Sequence, residues 1–189
     1  MYLFFDTETS GLPKNYKAPI TDLDNWPRVI QLAWLTTEED GTEIASHEYL
    51  IKPIGFVIPE EASKVHGITT EMAMMSGVSI ITALKSITPD IINASTIIAH
   101  NIAFDEKVLG AEYLRLHLEN VLTLKKRICT MLSSVNHCKI PGKYGNKWPT
   151  LDELHTTLFN ESVVNAHNAL ADVRACTKCF FKLKQLYVL

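Results

Sequence analysis

Residues 4–12 read Phe4-Phe5-Asp6-Thr7-Glu8-Thr9-Ser10-Gly11-Leu12. The run from Tyr2 to Phe5 is apolar and aromatic, the pattern of a strand buried on both faces. It stops at Asp6 and Glu8. Strand side chains alternate, so these two acids share a face, with α-carbons roughly 6.5 Å apart at about 3.3 Å rise per residue. Neighbouring carboxylates at the mouth of a buried strand repel each other and resist desolvation, and a divalent cation between them removes both costs. Acids that merely end a strand and face water fit this stretch equally well. Gly11 allows a sharp exit from the strand.

Working outward, 189 residues suit one domain spanning 1–189, large enough to bury a core. Composition is that of a globular protein, 47% hydrophobic and 21% charged. No apolar segment approaches the roughly 20 residues of a membrane helix, and the N-terminus lacks the basic and long apolar regions of a signal peptide. The expectation is a cytoplasmic chain with no membrane partner. Net charge is −3, which argues against gripping a polyanion by bulk charge but not against binding phosphate through metal ions. The four cysteines, Cys129, Cys138, Cys176 and Cys179, read as packed thiols rather than disulfides or a zinc site.

After the first strand, Pro13 to Asn25 is a polar surface loop beside Glu8, closed by Trp26 as a hydrophobic plug. Arg28–Thr37 and Glu43–Lys52 are strands joined through Asp40-Gly41, a hairpin signal. Short helices flank His66-Gly67-Ile68-Thr69. Ser79 to Ala94 is an amphipathic helix that Pro89 should kink or divide. Thr96 to Ala99 is a short buried strand. Asn101 then suits the N-cap of a helix over 102–118, which puts Asp105 in its first turn. Arg127 to Met131 reads as a further strand. The loop Lys139 to Pro149 interleaves lysines with Tyr144 and Trp148, which suits a nucleic-acid strand and equally a solvated loop with an anchoring aromatic. Thr150 to Glu153 is a capping box. His167 and Asp172 open the final helix and can share a site if His167 precedes it.

In a sheet whose first strand neighbours the Thr96 strand, Asp6, Glu8, Asp105 and Asp172 can converge. Oxygen-only ligands select hard cations such as magnesium or manganese. Two such ions about 3.5–4 Å apart serve in-line displacement at phosphorus. His167 is suited to accept the proton of an attacking water.

Asp6-x-Glu8, then Asn101-Ile102-Ala103-Phe104-Asp105, then His167-x-Ala169-x-x-Ala171-Asp172 resembles the DEDDh group of DnaQ-like 3′-to-5′ exonucleases, which includes the proofreading subunit of bacterial DNA polymerase III and ribonuclease T. The resemblance runs from Tyr2 to about Tyr187. It implies an α/β, ribonuclease-H-like fold, a five-stranded mixed sheet of order 3-2-1-4-5 flanked by helices. It implies release of 5′-mononucleotides from a free 3′ end with two Mg2+ or Mn2+ ions, single-stranded DNA favoured and RNA possible. By matching positions, Asp6, Glu8, Asp105 and Asp172 would be metal ligands and His167 the general base, with Thr9, Leu12, His66, Asn101 and Phe104 near the terminal nucleotide. The sequence stops with its last helix, whereas the proofreading subunit holds its polymerase by a C-terminal extension. The expectation is a stand-alone enzyme, or one docking by its domain surface. The rival readings are an RNA-trimming member of the group and a catalytically silent nucleic-acid-binding module.

Overall fold

The computed structural model describes residues 1–189. One five-stranded sheet carries the architecture, in the order β3-β2-β1-β4-β5, where β1 is Tyr2–Thr9, β2 Val29–Thr37, β3 Glu43–Leu50, β4 Thr96–Ala99 and β5 Lys126–Cys129. The stretch that opens the chain is therefore the central strand. It pairs antiparallel with β2 and parallel with β4, the mixed order that the resemblance implies. β1 extends past Phe5 because β2 continues to pair with it. Asp6 lies opposite Ala33 and Glu8 opposite Gln31, and the register slips between Glu8 and Thr9. The two acids thus lie inside the strand rather than beyond its end, and a bulge of this kind re-aims the side chains beside it.

Alternation along the strands builds two cores. Leu3, Phe5, Trp34, Ile97 and Ala99 face α3 (Ile80–Asn93) and α4 (Ile102–Arg115), whereas Phe4, Ala33, Leu35 and Ile98 face α7 (Ala169–Gln185). Two shorter helices, α1 (Glu60–His66) and α2 (Thr70–Ser76), cap Ile30 at the far side of β2. Gly67, at φ 75°, closes α1 with its N–H on Ser63 O. Cys176 and Cys179 are buried in α7 and all four thiols are free; burial pushes the Cys179 thiol up to about 12.

Several sequence expectations change. Pro89 does not divide α3, because Leu84, Ile87 and Ile91 on one face bury against the sheet on either side of it. The fifth strand ends at Cys129, and the chain enters an unforeseen helix, α5 (Thr130–Cys138). The loop 13–25 is not simply surface. Ala18 and Asn25 are buried, while Trp26 is the hydrophobic plug expected, its Nε1 donating to Pro19 O at 3.0 Å. Arg115 clamps this loop by donating from Nη2 to Leu23 O and Trp26 O, each at 2.6 Å, and its own charge is met by Glu112. The capping box at Thr150 opens α6 (Leu151–Phe159) as read from sequence. No helix is long and apolar enough to cross a membrane.

Candidate active site

The acids meet at the carboxyl end of the central strand, where α4 from one face and α7 from the other deliver one each. Asp105, in the first turn of α4, is 3% exposed. Thr7 holds it, donating to Asp105 Oδ1 from its backbone N–H at 3.1 Å and from its hydroxyl at 2.7 Å. Asp172 sits in the opening turn of α7, whose N-cap Asn168 accepts the Ala171 N–H. The start of α7 is tied to the sheet through Gln31, whose side-chain oxygen accepts the Ala169 N–H at 3.0 Å, and through Glu48, which accepts from both Gln31 and Asn168. Apart from the local N-cap made by Asn168, these positioning contacts were not visible in the sequence, since each joins residues far apart in the chain.

His167 precedes α7 in the left-handed region at φ 66° and is exposed. Its backbone N–H donates to Asp172 Oδ2 at 3.2 Å. Ligating atoms of Glu8, His167 and Asp172 all lie within 4.8 Å of one another.

The electrostatics follow from this crowding. Burial, with smaller contributions from Asp105, Asp172 and Glu8, raises the Asp6 carboxyl well above the usual range. Glu8 is pushed to about 8 by burial and then by Asp172 and Asp105. Asp105 is pushed to about 7 by burial, against the opposing hydrogen bonds from Thr7. Asp172 is raised by burial and partly relieved by His167. No lysine or arginine forms an ion pair with any of the four.

Beside this cluster lies a pocket of about 540 Å³ walled by Glu8, Thr9, Leu12, His66 and Phe104. Leu12 is 74% exposed at its rim. Thr9 Oγ1 donates to Gly11 O at 2.7 Å, fixing the turn out of β1. His66 Nδ1 accepts the Ile68 N–H, so the proton of the neutral ring is on Nε2, which is buried on the side of the Thr9 backbone. Burial lowers this imidazole below its usual range. Val65 and Ala62 of α1 add apolar wall that the sequence did not single out. Asn101 is not part of the wall. It begins α4 in the left-handed region at φ 65° with no side-chain cap, so its backbone tolerance rather than its amide serves the turn.

A family model described as an exonuclease, RNase_T, matches residues 3–180. The chain belongs to the RNase_T exonuclease family. Among solved structures, E. coli exonuclease I in complex with a dA16 oligonucleotide is 20% identical with a TM-score of 0.77, covering 97% of this chain and 40% of its own. The zinc-bound form of the E. coli exonuclease I–ssDNA complex is 20% identical with a TM-score of 0.76, over 99% of this chain and 41% of that one. Exonuclease I from Methylocaldum szegediense is 22% identical with a TM-score of 0.73, over 97% and 40%. At such identities the likeness is one of fold, here the ribonuclease-H-like sheet. The chain spans about two-fifths of the length of these exonuclease I chains. No curated protein sequence matches it.

Proposed function

We propose that the chain is a 3′-to-5′ exonuclease that releases 5′-mononucleotides from a single strand, DNA in preference to RNA. The observation that carries this reading is the group of four acids at one strand end with no basic partner. Desolvated carboxylates that repel one another are costly unless a cation neutralises them, and an all-oxygen set fits hard divalent ions. Asp6, Glu8, Asp105 and Asp172 would hold two Mg2+ or Mn2+ ions. Bound there, the ions would supply an activated water at neutral pH and charge neutralisation around the scissile phosphate.

The chain's own groups do the rest. His167, exposed and beside Glu8 and Asp172, accepts the proton of the attacking water and can pass it to solvent. The Asp172 contact to the His167 backbone holds that segment in its left-handed turn. Leu12 and Phe104 offer apolar faces to the terminal base, and the His66 ring adds to the wall beside them. The E. coli exonuclease I structures carry single-stranded oligonucleotides, which supports the preference for a DNA strand.

The test uses 5′-labelled dT20 and rU20 with magnesium, with EDTA, and with Asp172→Asn. A ladder shortening from the 3′ end, stronger on DNA and lost in EDTA and in the variant, is expected. Internal cuts, or no cleavage of either strand, would overturn the reading.

A further inference from the structure

The stretch 139–149 carries Lys139, Lys143 and Lys147 with Tyr144 and Trp148, and no acid, in a chain of net charge −3. It folds as a two-stranded ribbon, Pro141–Gly142 against Gly145–Asn146, closed by Lys147 N–H on Ile140 O at 2.9 Å. Lys143 and Tyr144 form its tip. If the aromatics anchored the loop they would be buried, and they are not. Tyr144 is 90% exposed and Trp148 65% exposed. The anchor is Pro149, which is buried.

Pro149 is held by His100. A carbonyl can only accept, so His100 Nε2 carries the proton and donates to Pro149 O at 3.0 Å, and Nδ1 accepts from the Thr130 hydroxyl at 3.0 Å. Burial pushes this imidazole down to about 4, which keeps it in the neutral form that the two contacts need. His100 stands two residues past Ile98, the partner of Phe4, while Asp6 stands two past Phe4. The ribbon is therefore rooted level with the acids, one strand away. Between its tip and base lies a groove of about 600 Å³, lined by Gly142 to Trp148 alone.

Resting on the exonuclease reading, we infer that this ribbon is a stacking clamp for the single strand upstream of the terminal nucleotide. Trp148 and the face of Tyr144 away from Lys143, whose ammonium lies 5.1 Å over the other, stack its bases, and Lys139 and Lys143 face its phosphates. Lys147 is tied to Glu153 at 2.6 Å and stiffens the base of the ribbon instead. Every base has a π-face and a basic loop suits any backbone, so the clamp is tolerant of sequence.

The test compares wild type with Tyr144→Ala/Trp148→Ala on two substrates, dT20 and the p-nitrophenyl ester of thymidine 5′-phosphate, which reaches the acid cluster but not the ribbon. Stacking is worth about five- to hundredfold per base. The double variant should match wild type on the ester and lose at least tenfold in kcat/KM on dT20, through KM. A strand with abasic sites upstream of its last two nucleotides should be a poor substrate for wild type and no poorer for the variant. Equal losses on ester and dT20, or none on dT20, would overturn the clamp. If wild type hydrolyses neither substrate the exonuclease reading fails, and anisotropy of fluorescein-dT20 in EDTA decides the clamp alone. Weaker binding by the double variant then supports it, and unchanged binding refutes it.

Discussion

Thr7 donates twice to one oxygen of Asp105, through its backbone N–H at 3.1 Å and its hydroxyl at 2.7 Å. The central strand thereby fixes an acid from the neighbouring helix, and both bonds go to Oδ1, leaving Oδ2 for a cation under the proposed metal-dependent reading. Partners that orient a metal ligand typically matter by about 10–100-fold in metal affinity. Thr7→Val keeps the shape and the backbone bond but removes the hydroxyl. It should weaken Mg2+ binding by roughly that factor, measured by calorimetric titration, while the melting temperature moves little.

His167 lies outside the helix and contributes no core contact. His167→Ala should cost about 10²–10⁴-fold in cleavage rate, the usual worth of a general base, with Mg2+ affinity within a few-fold of wild type. Its imidazole is also within ligating reach of Glu8 and Asp172. Zn2+, which accepts nitrogen as readily as oxygen, should therefore capture the ring and slow magnesium-supported cleavage. Imidazole NMR signals of His167 shifting with Zn2+ and not with Mg2+ would report the capture.

Glu8 and Asp105 titrate at about 8 and about 7 in the folded chain, against about 4 when unfolded. Between those limits the folded state holds more protons than the unfolded one, so stability falls as pH rises. Metal-free protein should melt at a higher temperature at pH 6 than at pH 8. Glu8→Gln should flatten that slope, and so should saturating magnesium. A metal-free melting temperature that climbs from pH 6 to pH 8 would contradict the crowded-acid account.

Glu112, 1% exposed, accepts from Arg28 at 2.8 Å and Arg115 at 3.0 Å and from the Val29 N–H at 3.2 Å. Glu112→Ala leaves the Val29 N–H without its acceptor and Arg115 with only the Leu23 and Trp26 carbonyls, while Arg28 can turn to water, and should destabilise by about 2–3 kcal/mol in chemical denaturation. The loop 13–27 should be its first segment to lose hydrogen-exchange protection.

The sheet order was legible through the family resemblance, and once β1 neighbours Thr96–Ala99 the convergence of the acids follows from their places: Asp6 and Glu8 on the first strand, Asp105 after Thr96–Ala99, Asp172 at the last helix. What escaped depends on distant partners. The reach of β1 to Thr9 comes from pairing with β2. Helix α5 carries Ser133, Ser134 and Asn136, weak helix formers, and no side chain caps it; it forms by packing against α6 and α7. Asn101 does precede α4, but it serves there through its αL backbone and not through the side-chain cap that its residue type suggests. Thr7, Gln31 and Asn168 support the acids through contacts spanning 98, 138 and 120 residues, which no local pattern encodes.

The central claim is that the four carboxylates hold the ions that run hydrolysis, and counting bound Mn2+ by electron paramagnetic resonance tests it most directly. Wild type should bind two ions per chain, Asp6→Asn should lose at least one, and cleavage of dT20 should fall with that loss. Mn2+ binding that is absent from wild type, or unchanged in Asp6→Asn, would contradict the account.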